Sequence, residues 1–193
     1  MELVKILLAA IMLIESGGDP LAVGFRGPAP VVRAVRTDIE RIGAPVKCSK
    51  HGNEKVLCSA HPRSAEDAVR IVRLLLKRNV PFDVGLLQIS SSNLKRRRVA
   101  PELLLAPEVN VPAGLLFLLD CLKRSGDVRG ALSCYNCGTP DCAAGRAYAE
   151  RVLSLTESMG RARLLRLGSA LLSLIAPERG SNGAFNTGKK GEI

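Results

Sequence analysis

Apolar and polar positions divide the chain into helical segments punctuated by glycine and proline. The first segment is "ILLAAIMLI", Ile6–Ile14, apolar without a break. A helix over 3–16 that is apolar on every side is a buried one, and Gly17, Gly18 and Pro20 stop it. Ser64 opens a second helix. Ser64-x-x-Asp67 has the form of a capping box with Asp in place of the usual Glu. Ala65, Ala68, Val69, Val72, Leu75 and Leu76 make its apolar stripe, and Asn79 and Pro81 end it. "FDVGLLQISSSNL" reads as a turn leading into a short helix, and further helices are expected over about 109–124, 127–136 and from 143. Between 161 and 176, Leu164, Leu165, Gly168, Leu171, Leu172 and Ile175 form a stripe with Arg161, Arg163 and Arg166 off it. Residues 18–63 read as irregular, and "VVRAVRTDIERI" within them fits a helix or a strand equally. The pattern defines a mainly α fold.

Composition sharpens this. Of the 193 residues, 47% are apolar but only 3% aromatic, with no Trp, so the core is built from Leu, Val, Ile and Ala. The net charge of +10 favours an acidic partner: nucleic acid, anionic lipid or an acidic polymer. Too few aromatics are present for the stacking platforms of single-strand binders. The apolar run after Lys5 has the length of a signal-peptide core and is too short to span a bilayer. No small-residue cleavage site follows it, so it is read as the first helix of the folded domain.

That helix ends in Glu15. Ionising a carboxyl in apolar surroundings is costly, so Glu15 either emerges into water or serves a chemistry that uses the cost. Helical spacing puts Leu8, Ile11 and Met12 beside or below it. Burial of that kind raises a carboxyl's pKa and makes it a proton donor at neutral pH.

Three segments follow in order: "ESGGDPLAV" at 15–23, "DVGLLQIS" at 83–90, and "ALSCYNCG" with "YAERV" at 131–152. Over about residues 5–156 this resembles the lysozyme-like lytic transglycosylases, specifically the small subgroup that accompanies type IV secretion and conjugation machines. The resemblance implies a lysozyme-like helical domain of the goose-type/lytic transglycosylase kind over 1–156, with 18–63 as an irregular insertion. A basic amphipathic helix over 157–176, expected to be dispensable for chemistry, and a disordered tail over 177–193 would follow. It also implies peptidoglycan glycan strands as substrate, no cofactor, no nucleic acid, no transmembrane span, and partners among secretion or conjugation subunits.

In the implied mechanism Glu15 is the sole catalytic acid and base. It protonates the oxygen between N-acetylmuramic acid and N-acetylglucosamine, then accepts the muramoyl C6 hydroxyl proton as a 1,6-anhydro ring closes. Ordinary glycosidases use a second carboxylate; Asp19 and Asp83 are the candidates here, and neither looks obligatory. Ser16 would hydrogen-bond near the acid. Gly85 would let the chain pass close to the sugar, Leu86 and Leu87 would wall the site, and Gln88 would bond the sugar or the loop backbone. Tyr135 and Asn136 would face Glu15 and orient the acetamido group, and Tyr148 would add a second hydroxyl. Ser90 stands where the family usually has Asn, and Cys134 where it has a small residue. Lys95, Arg96, Arg97 and Arg98 line the groove rim or form a solvated face.

The six cysteines imply an oxidising compartment or a metal. Cys48-x2-His51 and Cys58-x2-His61 repeat one spacing, which suits a Cys48–Cys58 disulfide, a structural zinc on Cys48, His51, Cys58 and His61, or free thiols. Cys121, Cys134, Cys137 and Cys142 are further disulfide candidates without deducible connectivity. A wall substrate places the protein in the periplasm, although no cleavable signal is visible; an upstream extension or the machine it serves would provide the route. The rival functions are a hydrolytic goose-type lysozyme on the same fold, a basic Cys/His nucleic-acid-binding protein, and a catalytically dead scaffold.

Overall fold

The computed structural model describes residues 2–51, 55–94 and 100–174. Helix α1 (Glu2–Glu15) is the predicted first helix. Its residues Ile6–Met12 are buried without exception, so it runs through the interior. Strand β1 (Val23–Pro28), helix α2 (Ala29–Ile42) and strands β2 (Val46–His51) and β3 (Lys55–Ala60) follow. Then come α3 (Ala65–Lys77), β4 (Phe82–Val84), β5 (Ile89–Ser90) and the single turn α4 (Ser91–Leu94). A 3-10 turn (Pro101–Leu105) leads into α5 (Pro107–Ser125), α6 (Val128–Cys137), α7 (Ala143–Ser158) and α8 (Arg161–Ser173). Ser64 caps α3 as the sequence predicts: Asp67 N–H donates to its Oγ at 3.1 Å, and the hydroxyl donates to Asp67 Oδ2 at 2.8 Å.

Residues 18–63 are not irregular. They supply α2 and three strands of a five-stranded antiparallel sheet in the order β2-β3-β1-β4-β5. Register makes the two faces different. Val23 and Phe25 lie opposite Ala60 and Cys58 on one side and Val84 and Phe82 on the other, and all six are buried. That face packs on Val32, Val35 and Ile39 of α2 and on Ala68, Ile71, Val72 and Leu75 of α3. The opposite face carries Gly24, Arg26, Ser59, Asp83 and Ser90. "VVRAVRTDIERI" resolves to helix because its apolar positions recur at helical spacing against this sheet.

All six cysteines are paired, as Cys48–Cys58, Cys121–Cys134 and Cys137–Cys142. The first joins directly opposed residues of β2 and β3, the second ties α5 to α6, and the third closes the α6–α7 turn. The zinc reading of the first cluster is corrected. Its two sulfurs are bonded to each other and have no thiolate to offer a metal.

Helix α8 completes the core. Leu164 and Leu171 are buried, and Gly168 lies against α1 so closely that a Cβ there would come within 2.1 Å of Lys5 O. An all-apolar α1 has to be covered on every side, and α7 and α8 do this. Lys95, Arg96, Arg97, Arg98 and the tail over 177–193 lie outside the described residues. Leu164→Ala is therefore expected to destabilise the domain by ~2–4 kcal/mol through the cavity beside α1. Urea unfolding measures this; an unchanged midpoint would mean that α8 is not part of the cooperative unit.

Candidate active site

Glu15 is the last residue of α1, where the buried helix reaches the open face of the sheet. Leu8, Ile11 and Met12 line the turns below it. Its carboxyl is pushed up from 4.5 to about 7, first by burial. The Asp83 carboxylate adds to the rise, while the Tyr148 hydroxyl and the Arg151 guanidinium pull it back. Near neutrality such a group holds a proton that it can give away and take back.

The turn Gly85–Gln88 lies beside the acid and is clamped at most of its backbone groups. Gly85 (φ 77°) and Gln88 (φ 44°) both have left-handed backbone. Gly85 could not be another residue: a Cβ would sit 2.4 Å from Asn110 Nδ2 and 2.5 Å from Leu104 O. Gly85 N–H donates to Ala22 O at 2.9 Å. Gln88 Nε2 donates to Ala22 O at 3.0 Å and Gly85 O at 2.8 Å. Ser16 Oγ lies within donating distance of Leu86 O at 2.9 Å and Met12 O at 3.1 Å, and accepts from Gly18 N–H. Tyr135 Oη donates to Leu87 O at 2.9 Å. Asn110, buried on α5, accepts from Leu87 N–H at 2.8 Å and donates to Val84 O and Leu104 O.

These contacts place the expected site residues. Ser16, Gln88 and Tyr135 converge on the turn, and their hydrogen bonds go to its backbone. Leu87 is fully buried and packs on Gly114, whereas Leu86 sits over Ser16 with slight exposure. The Tyr135 ring packs against Phe117 with centroids 5.3 Å apart. Asn136 is exposed on the last turn of α6. Tyr148 is buried, and its hydroxyl makes no hydrogen bond of ordinary geometry among the described residues. The polar group within its influence is the Glu15 carboxyl, whose ionised form it stabilises. Burial and the negative charge of Glu15 raise the Tyr148 phenol far above its usual range, so it stays a donor.

Both candidate second carboxylates are committed elsewhere. Asp19 Oδ2 accepts from His61 Nδ1 at 2.8 Å, and its Oδ1 accepts from Leu21 N–H at 2.9 Å. His61 Nε2 in turn lies 3.0 Å from Ser59 Oγ, so this chain of contacts fastens the loop after Glu15 to β3. His61 is thus a loop anchor. Asp83 is ion-paired with Arg26 and faces Ser90, its register partner on β5. Burial still raises the Asp83 carboxyl, against the opposing pull of Arg26. Asn110, Arg26, His61 as an anchor and Arg151 were not legible as site residues. Asn110 gave the one available signal, a lone amide in an apolar helical stretch.

A helical domain with a small sheet, in which a buried carboxyl meets a rigid turn at the open sheet face, defines a glycan-cleaving protein of the lysozyme-like kind. The family model described as "Transglycosylase SLT domain" matches residues 2–152, and the chain belongs to that family. It is a peptidoglycan lytic transglycosylase, a lyase acting on glycan strands. Comparisons with curated proteins and with solved structures found no match.

Two predictions come from the electrostatics. A carboxyl whose folded-state pKa lies above its unfolded value costs stability as pH rises between the two, because the unfolded chain loses that proton first. Glu15→Gln is therefore expected to match the wild type near pH 4 and exceed it above pH 7, by up to about 3 kcal/mol. Urea titrations at both pH values test this; a pH-independent difference would contradict it. Separately, Asp83→Asn removes a negative charge that raises Glu15. The alkaline limb of kcat/KM is expected to move to lower pH, and an unmoved or raised limb would refute the coupling.

Proposed function

We propose that Glu15 is the general acid and then the general base of a non-hydrolytic cleavage between N-acetylmuramic acid and N-acetylglucosamine. The neutral carboxyl gives its proton to the bridging oxygen, and the C1–O bond breaks with its electron pair left on that oxygen. The substrate's N-acetyl carbonyl oxygen stabilises the developing positive charge at C1. The muramoyl C6 oxygen then bonds to C1, and its proton passes to the Glu15 carboxylate. The product is a 1,6-anhydromuramoyl end, and Glu15 is reset. The observation that carries this reading is a single carboxyl poised at about 7 beside a clamped turn. The other two nearby carboxylates, Asp19 and Asp83, are engaged by His61 and Arg26.

The remaining roles follow from placement. Ser16, Gln88 and Tyr135 hold the turn against which the sugar docks, with Leu86 toward the sugar, while Gly85 lets the turn pack on Asn110 and Leu104. Tyr148 orients the Glu15 carboxyl. Ser90 and Asn136 stand further out as substrate contacts. Hydrolysis by a goose-type lysozyme mechanism would need a free carboxylate to activate water, and the commitments of Asp19 and Asp83 favour the anhydro route.

We further infer that the domain opens the wall locally for a secretion or conjugation apparatus, supported by the motif resemblance to that subgroup. A periplasmic location fits the wall substrate and the three disulfides, which persist in oxidising compartments. No helix among the described residues is long and apolar enough to cross a membrane.

Glu15→Gln is expected to lose ~10²–10⁴-fold in turnover, the usual contribution of general acid–base catalysis. Wild-type digests of purified sacculi should contain 1,6-anhydromuramoyl products by mass spectrometry. Reducing muramoyl ends in their place would establish hydrolysis, and a folded, active Glu15→Gln protein would remove Glu15 from the mechanism.

A further inference from the structure

Arg151 is a cation that acts on Glu15 and has no carboxylate of its own among the described residues. It lies one helical turn after Tyr148 on α7, and side chains on a helix lean over the preceding turn. Its guanidinium accordingly sits over the Tyr148 ring, 5.6 Å from the centroid. It is exposed and makes no ion pair within 4 Å among the described residues. Arg26, by contrast, is already paired with Asp83. Helix α7 packs on α1, and the charge of Arg151 acts on Glu15, so the guanidinium lies on the acid's side of α7. A guanidinium set over an aromatic face keeps its N–H donors available for an oxyanion.

The substrate supplies that oxyanion. The muramoyl residue cleaved at C1 carries at C3 a lactyl ether, extended by a stem peptide with carboxylates of its own. With its C1 oxygen at Glu15, that substituent leaves the same ring within a few ångströms of the acid. We propose, on the functional reading above, that Arg151 binds a carboxylate on the C3 substituent of the cleaved muramoyl residue. It is a specificity-determining residue that makes the enzyme select acidic muramoyl units over neutralised ones. The carboxylate belongs either to the stem peptide or to a bare lactyl group, and both are met by the same charge-assisted, bidentate geometry.

The test compares the wild-type chain, Arg151→Gln and Arg151→Lys on four substrates. These are peptide-bearing glycan strands, peptide-stripped strands, and each of the two with its carboxylates converted to amides. Amidation is expected to cost the wild type ~10-fold in kcat/KM, mostly in KM, consistent with loss of a charge-assisted contact. Arg151→Gln should not distinguish acidic from amidated strands, and Arg151→Lys should distinguish them weakly. Removing Arg151 also shifts the pH profile through Glu15, but equally on all four substrates, so the ratio is the readout. Discrimination confined to peptide-bearing strands assigns the stem peptide; discrimination kept on stripped strands assigns the lactyl group. A wild type indifferent to amidation, or an Arg151→Gln variant that discriminates as well as the wild type, overturns the proposal. Calorimetric binding of a disaccharide-peptide and its amidated form to the Glu15→Gln protein, with and without Arg151→Gln, gives the same decision without turnover. Failure of the functional reading shows separately, as absence of anhydro products from every substrate.

Discussion

A carboxyl kept from water at the end of an apolar helix is the interaction on which the rest of the structure depends. Burial is the first cause that raises Glu15 toward neutrality, with the Asp83 carboxylate adding to it, and burial requires that α1 be covered. Helices α7 and α8 cover it, and the close approach of Gly168 to Lys5 lets α8 do so. The cost of holding an acid in this state is borne by a leucine- and isoleucine-rich core. A proton donor at pH 7 is the return, and the link between stability and catalysis is direct.

The second constraint is rigidity beside the acid. Residues 85–88 follow a path with two left-handed residues, one of them a glutamine, which the chain would not adopt unaided. Ser16 just after α1, Asn110 from α5, Tyr135 from α6 and the Gln88 side chain itself each fix a backbone group of this turn. Because the anchors come from separate elements, the turn registers the helical bundle against the sheet. The Cys121–Cys134 bridge joins the helices that carry Asn110 and Tyr135, so it supports the same geometry. Disulfides of this loop size contribute ~2–3 kcal/mol.

The helices were legible because their apolar positions recur at the helical period and their ends carry signals, as at Ser64. The sheet was not. Strands β4 and β5 are three and two residues long, too short for alternation to register. Strand β1 contains Gly24, Gly27 and Pro28, residues that argue against a strand when read locally. Only pairing with β3 and β4 makes it one. Glu15 could be read as a candidate acid because its apolar surroundings are its own helix. Gln88 could be read in part, since a bond to the loop backbone was one of its two expected roles; the duties of Ser16 and Tyr135 could not, since their partners are backbone carbonyls that only the fold brings near. The pairing of His61 with Asp19 spans 42 positions and leaves no trace in local sequence, so the histidine's one sequence-level role was as a ligand in the zinc alternative.

The central claim is that the Glu15 carboxyl is a neutral acid in the folded protein. A carbon-detected NMR titration of that side chain, assigned by comparison with Glu15→Gln, measures it directly. The account predicts a midpoint near 7. A midpoint near 4.5, the value of an unburied glutamate, would contradict it.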